Sequence, residues 1–286
     1  MPFRSRGERK VHPFRPQSAD GQCYPGQKPL TVGSVRPFDP RKPNLARMYD
    51  YMLGGSANYA VDRQAIEQLA ELIPQAVPLA RANRAFMQRA VRYLGAAGVR
   101  QFLDLGSGLP TQGSVHEVAP EARVVYVDND PEVAAHARSL LAGTDLVAFV
   151  EADLLDPDAV LGRAAAHLDL DEPVAVLLIS MLHFVPDSAG PQGMVASLRA
   201  ALAPGGFLVL THSTSMGHGG ARTLRRGSSA GGGADRSVAE IRAFFGDFAL
   251  EPPGLVQAAD WRPDRPKLVV DRSLPSYLMA GVGRKG

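Results

Sequence analysis

The residues of this chain that could do chemistry fall at four places along its middle third. The first is Asp104-Leu-Gly106-Ser107-Gly108-Leu-Pro-Thr111. Paired glycines let a backbone approach a ligand closely, and a carboxylate just before them can bind the turn's amides or lie near a ligand's ammonium group. A dinucleotide fingerprint asks for Gly or Ala three positions after Gly108. That position is Thr111, which weakens a nicotinamide reading. It leaves a cofactor without a pyrophosphate, or a tight turn with no ligand. The second place is Asp128, with Asn129 beside it, 22 residues after Gly106. A carboxylate there can accept hydrogen bonds from both hydroxyls of a ribose, or cap the helix that Pro131 opens. The third is Asp153-Leu154, where a side-chain acceptor can take a proton from an exocyclic amine and a backbone amide can read a ring nitrogen. The fourth is Ser180-Met-Leu-His183-Phe-Val-Pro-Asp187. His183, with an ordinary pKa near 6.5, is a candidate general base; the alternative is that it bonds backbone and shapes the loop. His212 stands second to it.

These places gain meaning from the elements that must hold them. Residues 101–105, 123–128, 147–150, 174–179 and 207–211 are short apolar runs, with helical stretches around 114–119, 131–142, 157–168 and 190–202 between them. Buried strands alternating with helices predict an α/β fold, a parallel sheet with helices on both faces. The carboxyl ends of parallel strands share one crevice, so the four places should converge there. A strand near 248–251 and a terminal one at 276–282 predict a hairpin finishing one edge. Ser237-Val-Ala-Glu240 is a capping box opening a helix through Phe245. Upstream, 44–55 reads as a helix stopped by Gly54 and Gly55. Asp62 is expected to cap a helix with Ile66, Leu69, Ala70 and Ile73 on one face, ended by Pro74. A further helix is expected over 79–94, with Ala82, Phe86 and Ala90 inward.

Composition bounds the rest. A chain of 286 residues with 45% hydrophobic and 21% charged side chains can bury a core without staples. Its single cysteine, Cys23, forbids an intramolecular disulfide and a cysteine-cluster metal site, so no metal is expected. No run of about 18 apolar residues predicts a membrane span, and the basic N-terminus lacks the apolar stretch of a secretory signal. A cytoplasmic protein is expected. Residues 1–43 hold nine Lys/Arg against three acids, so the remainder of the chain carries −4 of the overall +2. This Pro/Gly-rich stretch is expected to be a disordered basic tail, solvated rather than bound to nucleic acid. Residues 217–234, rich in Gly, Ser and Arg, are expected to form a mobile loop.

Residues 100–211 resemble the core of class I S-adenosylmethionine-dependent methyltransferases. More narrowly, 44–283 is similar to a bacterial family of predicted methyltransferases first catalogued as a domain of unknown function. The similarity rests on Asn44-Leu-Ala-Arg-Met-Tyr-Asp-Tyr-Met-Leu-Gly-Gly55, Ala82-Asn-Arg-Ala-Phe86, Gln101-Phe-Leu-Asp-Leu-Gly-Ser-Gly-Leu-Pro-Thr111, Val125-Tyr-Val-Asp-Asn-Asp-Pro131, Leu182-His-Phe-Val-Pro186 and Trp261-Arg-Pro-Asp264. The resemblance implies a Rossmann-like, seven-stranded, mostly parallel sheet with an antiparallel last strand. Residues 44–99 would form a helical lid and 100–286 the core that binds S-adenosyl-L-methionine. It implies Asp104 near the methionine ammonium, with Gly106, Ser107 and Gly108 lining that arm. Asp128 would hold the ribose, Asn129 would lie beside the adenine, and Asp153 and Leu154 would read its edge; Ser180 is grouped with them. Arg47, Tyr49, Gly54 and Gly55 would close over the methionine end, with Arg47 pairing the cofactor carboxylate. The alternative for Arg47 and Tyr49 is a helix packed on the sheet by a hydrogen bond and a ring.

Methyl transfer from a sulfonium is an in-line displacement, so positioning and desolvation can carry it, and a base is needed only if the acceptor must lose a proton. The chain has no Asn-Pro-Pro-Tyr motif of the kind that methylates nucleobases, which favours a small-molecule acceptor over nucleic acid. The glycine-rich 217–234 departs from the ordered acceptor-side segment expected there. Two rival readings stand beside this one. A nicotinamide-dependent reductase is opposed by Thr111. A non-catalytic module that binds S-adenosylmethionine as a sensor or partner protein is kept in play by 217–234 and by the lack of a clear base. Oligomeric state is left open.

Overall fold

The computed structural model describes residues 39–141, 143–214, 233–264 and 278–286. The expectations for the tail up to residue 38 and for most of 217–234 lie outside the described residues. The described residues belong to one unit, Arg36–Gly286. Eight strands form one sheet: β1 Gln101–Leu105, β2 Arg123–Asp128, β3 Val147–Glu151, β4 Ala175–Ile179, β5 Phe207–Ser213, β6 Ala249–Leu250, β7 Val256–Gln257 and β8 Leu278–Arg284. Their order is β3-β2-β1-β4-β5-β8-β6, and β7 also pairs with β8. The first five strands are parallel, while β8 runs antiparallel to β5, β6 and β7. The expected edge hairpin is present in modified form, because β6 and β7 flank successive stretches of β8 as a broken edge.

Helices α1 Leu45–Met52, α2 Ala60–Leu72 and α3 Ala76–Ala96 precede the sheet, followed by α4 Val115–Val118, α5 Pro131–Leu140, α6 Pro157–Ala164, α7 Pro191–Ala201 and α8 Val238–Ala243. Alternate strand residues feed two cores, as the pleat requires. Phe102, Val124, Tyr126, Leu177 and Val209 pack with Phe86, Ala90, Val91 and Leu94 of α3. Leu103, Val125, Val127, Val176 and Leu208 pack with Val160 of α6, Val195 of α7 and Ile241 of α8. Strands buried on both faces explain the unbroken apolar runs in the sequence.

Local chemistry sets most boundaries. Asn44 caps α1 by accepting from the amides of Ala46 (2.8 Å) and Arg47 (3.1 Å). Gly54, at φ +84°, takes the left-handed turn that ends it. The Ser237–Glu240 box is formed as expected, each side chain bonded to the other's backbone amide. Asp62 differs from expectation: α2 starts two residues earlier, and Asp62 lies inside its first turn. Its carboxylate reaches back to the Tyr59 amide (2.8 Å).

Candidate functional site

The strand order reverses between β1 and β4, which opens a crevice at their carboxyl ends. At the end of β1, the amides of Gly106 and Ser107 donate to the Val127 carbonyl (2.8 and 3.1 Å). Gly106 and Gly108 have φ +67° and +61°, a region that an L side chain enters only with strain. Space forbids a side chain at Gly106 as well, since a Cβ there would run into the side chain of Met181. At Gly108 a Cβ would lie 3.7 Å from the Cβ of Ala46, so α1 lies over the glycine turn.

Asp128 ends β2 with its carboxylate toward this turn. One oxygen accepts from the Gly108 amide (2.9 Å) and the other from the Asp130 amide (3.0 Å). The helix cap of α5 is Asp130, which accepts from the Glu132 amide (2.8 Å), so Asp128 is left for another role. The Asn129 amide also bonds this carboxylate. Burial pushes the Asp128 pKa up against those amide bonds. Asn129 and Asp153 line a common cavity of about 290 Å³ with Glu151, Ala152, Asp156, Ala159 and Arg163. Asp153 is exposed and accepts from the Leu155 amide (3.0 Å). Leu154 is half-buried against the second core rather than in the lining of that cavity.

Asp104 lies beside Tyr126 and Leu177 in register, on the α3 side of the sheet. Burial pushes its pKa up to about 7; the Arg84 charge pulls it down and that of Asp128 adds to the rise. Tyr49 on α1 is a neighbour of the same pair. Burial raises its pKa, Arg84 opposes the rise and Asp104 adds to it. The Tyr49 hydroxyl accepts from Asn83 Nδ2 (2.8 Å) and donates to the Ala80 carbonyl (3.2 Å). From Asn83 the network continues: the Thr211 hydroxyl donates to Asn83 Oδ1 (2.7 Å) and accepts from the Ser180 amide (2.8 Å). Ser180 has φ +57°, and this bond helps hold that strained conformation. One chain of hydrogen bonds therefore fixes α1, α3 and the ends of β4 and β5 around the crevice.

Arg47 requires a correction. Its guanidinium does not point to the glycine turn as a partner for a ligand. It donates to Asp62 (2.6 and 3.1 Å), to Glu132 and to the Lys42 carbonyl (2.6 Å), and it is buried. Asn44 adds a bond to Asp130 (2.5 Å), so α1 and α2 are latched to the start of α5. Gly54 and Gly55 likewise serve the end of α1: a side chain at Gly55 would strike the Asp50 carboxylate. The Gly54 carbonyl accepts from Gln112 in the loop after the glycine turn (3.5 Å).

On the other side of the crevice, His183 is half-buried on the loop after β4, and its carbonyl accepts from the Ala234 amide (3.2 Å). His212 is fully buried, with ring centroid 5.6 Å from that of His183. Its Nε2 lies 2.9 Å from Arg236 Nη1, which can only donate, and its Nδ1 lies 2.6 Å from the Ser213 carbonyl, which can only accept. His212 is therefore neutral with the proton on Nδ1. Burial and the adjacent Arg236 push its pKa down, to about 4. Both nitrogens are committed, which removes it as a base. Arg236 also binds Asp187 (2.7 Å) and the Leu182 and Val185 carbonyls, pinning the loop that carries His183.

Sequence reasoning did not single out Arg84, whose charge acts on Asp104 and Tyr49, although it lies in the Ala82–Phe86 stretch. The available signal was its place on α3. Ala80, Met87 and Val91 are buried, and position 84 falls on the same stripe at helical spacing. An arginine there interrupts an apolar face.

A doubly wound sheet with a glycine turn and a carboxylate at successive strand ends defines a Rossmann-like α/β protein suited to a nucleoside-bearing ligand. Residues 33–286 match the family model described as S-adenosyl methyltransferase. The chain belongs to that family: it is an S-adenosylmethionine-dependent methyltransferase, and S-adenosylmethionine is its cofactor. It is 41% identical to a candidate methyltransferase from Thermobifida fusca of known crystal structure, covering 86% of this chain and 96% of that one, with a TM-score of 0.78. A DUF574 family protein from Streptomyces avermitilis is 37% identical, covering 86% and 98%, also with a TM-score of 0.78. No curated protein matches significantly. No described helix is long and apolar enough to cross a membrane.

Proposed function

We propose that the crevice binds S-adenosylmethionine along the ends of β1, β2 and β3 and transfers its methyl group to a small-molecule acceptor beside the loop after β4. The observation that carries this reading is the Asp128 carboxylate. Backbone amides at the glycine turn and at the start of α5 hold it at the end of β2, where a carboxylate can accept from ribose hydroxyls. The residues present fit the cofactor: Gly106 and Gly108 turn the backbone through left-handed conformations at the crevice, with Met181 and Ala46 packed against them, and Asn129 and Asp153 share a cavity on the side where an adenine would lie. The cofactor supplies a methyl group on a sulfonium, which an acceptor lone pair takes in line while the C–S electron pair stays on sulfur.

The protein's part is to orient and desolvate. Ser180 and the hydrogen bonds through Thr211, Asn83 and Tyr49 fix the lip of the crevice where the methyl group would face the acceptor. His183 takes the acceptor's proton where the acceptor must lose one. His212 cannot, because both its nitrogens are committed. The small-molecule acceptor is supported by the lack of an Asn-Pro-Pro-Tyr motif of the kind that methylates nucleobases.

Two measurements test the reading. Calorimetric titration of S-adenosylhomocysteine should show Asp128→Ala binding about tenfold or more weakly than wild type, through the lost ribose hydrogen bonds; equal affinities remove Asp128 from the site. Incubation of the protein and methyl-labelled cofactor with a cell extract should place label in the small-molecule fraction. Label in RNA or protein overturns the acceptor class.

A further inference from the structure

The start of α5 is gripped twice by the start of α1. Arg47 pairs with Glu132. Just before it in the chain, Asp130 Oδ2 accepts from Asn44 Nδ2 (2.5 Å). The orientation of the Asn44 amide group is fixed by its own helix. Its Oδ1 accepts from the amides of Ala46 and Arg47 as the cap of α1, so Nδ2 is the end that faces Asp130. Its backbone is fixed as well, because the Asn44 amide donates to Asp62 Oδ1 (2.9 Å), and Asp62 is itself paired with Arg47. Asp130 has both carboxylate oxygens assigned: Oδ1 accepts from the Glu132 amide (2.8 Å) and Oδ2 from Asn44. The backbone amide of the same residue donates to Asp128 Oδ1 (3.0 Å), and Asp128 Oδ2 accepts from the Gly108 amide (2.9 Å). A line of donors and acceptors thus runs from the cap of α1 through Asp130 to Asp128 and the glycine turn.

The consequence is geometric. A carboxylate that accepts from two neighbouring hydroxyls must present both oxygens to them at once, so its rotamer decides both bonds together. Asp128 stands half-buried at a strand end, where the amides that hold it decide that rotamer. One of those amides belongs to Asp130, which lies outside the helix that follows it, with φ −86° and ψ 119°. The direction of that amide is set by the Asp130 side chain, seated on α5 through the Glu132 amide and on α1 through Asn44. We propose that Asn44 is a positioning residue: acting through Asp130, it holds Asp128 in the orientation that receives the ribose of the cofactor. The inference rests on the placing of the ribose at Asp128 proposed above. It goes beyond that reading by giving the start of α1 a part in binding the nucleoside, whereas the family resemblance assigns that helix to the methionine end.

Two ligands isolate the ribose hydroxyls: S-adenosylhomocysteine carries both, and its 2′,3′-dideoxy analogue carries neither. Calorimetric titration of each is made against wild type, Asn44→Ser, Asp130→Ser, Asp128→Ala, and Asn44→Ser combined with Asp128→Ala. Serine keeps a capping oxygen at the start of either helix and is too short to span the bond between the two residues, so α1 and α5 keep their caps. Asn44→Ser should weaken S-adenosylhomocysteine about three- to tenfold, the range of one hydrogen bond. It should leave the dideoxy analogue within about twofold of wild type, which also certifies the fold of the variant. Asp130→Ser removes the same bond from its other end and should have the same effect. In the Asp128→Ala background Asn44→Ser should add nothing, because the group that it positions is gone. Equal weakening of both ligands by Asn44→Ser and Asp130→Ser overturns the proposal in favour of a role in seating α1. Unchanged affinity for S-adenosylhomocysteine overturns it too, as does an undiminished further loss in the Asp128→Ala background. If wild type binds neither ligand, or binds both equally well, the placing of the ribose at Asp128 fails, and this inference with it. If wild type prefers S-adenosylhomocysteine and Asn44→Ser keeps that preference in full, only this inference fails.

Discussion

Two arginines of the N-terminal helices each lie over a tyrosine ring, and their surroundings differ in every other respect. Arg47 stands 4.8 Å from the Tyr59 ring centroid and Arg84 stands 5.5 Å from that of Tyr49. Arg47 is sealed between two buried acids that come from α2 and α5. Burial opposes its charge, but the hydrogen bonds it donates to Asp62 and Glu132 hold its pKa above the ordinary value. Arg84 has an acid within electrostatic reach but not within contact, and that acid, Asp104, carries a raised pKa. A charge network whose cation is paired in contact with two buried acids serves the fold, even though among the described residues Glu132 Oε1 is left without a hydrogen-bond partner. Arg84 instead acts on its acid only from beyond contact, so losing it should cost the fold far less.

The largest effect should come from opening the closed network. Arg47→Met leaves Asp62 and Glu132 buried without their cation, a change that costs about 3–5 kcal/mol. For a chain of this size that lowers Tm by about 10 °C. Calorimetry at neutral pH measures it, and a fall under about 2 °C would sink the claim that this network latches α1 and α2 to α5.

The next effect runs in the opposite direction. Asp104 in the ligand-free protein titrates near 7 against an ordinary 3.8, so the folded state holds a proton that the unfolded state has released. Stability is then lost as pH rises from about 4 to about 7, by up to about 4 kcal/mol at pH 8. Asp104→Asn removes the charge and keeps the shape. It should stabilise the ligand-free protein by about 3 kcal/mol at pH 8 and change little at pH 4. Urea unfolding at the two values checks this; a variant less stable than wild type at pH 8 would mean that the Asp104 charge is answered inside the protein after all.

Much of this was legible in the sequence, and the limits have a physical pattern. The five parallel strands announce themselves because burial on both faces writes an apolar run into each. The glycine turn, the Ser237–Glu240 box and the stop at Gly54 are local, since backbone dihedrals or amides three residues away decide them. Asp62 shows where local reasoning slips: a carboxylate near a helix start suits the cap, but here it sits three residues in, bonding back to the Tyr59 amide while also pairing with Arg47. The role of Arg47 depends on Glu132, 85 positions away, and no spacing rule joins them. The two-residue β7 is fixed by β8 alone, too short to leave a period. The candidate site divides in the same way. Its strand-end carboxylates follow from topology, whereas Arg84 and the commitment of both His212 nitrogens emerge only once α3 and β5 are placed in space.

The smallest effect sharpens the contrast most. Arg84→Met deletes a cation of the same kind from the same helical layer, but it strands no paired carboxylate. Asp104 loses a favourable charge that acts from beyond contact, worth about 1 kcal/mol or less at an effective dielectric near 20 once solvent screening at a half-exposed group is counted. The contact with Tyr49 adds about 0.5 kcal/mol at such a site. Methionine keeps an unbranched stem to cover the ring, and the Tyr49 hydroxyl keeps its bonds to Asn83 and Ala80. The ligand-free variant should therefore melt within about 3 °C of wild type at pH 8. At pH 5, where Asp104 is protonated in the folded state, the two should draw closer still. Thermal unfolding at both values decides it. A loss rivalling that of Arg47→Met would show that Arg84 holds the helices together, and the contrast between an arginine paired in contact and one whose acid lies beyond contact would collapse.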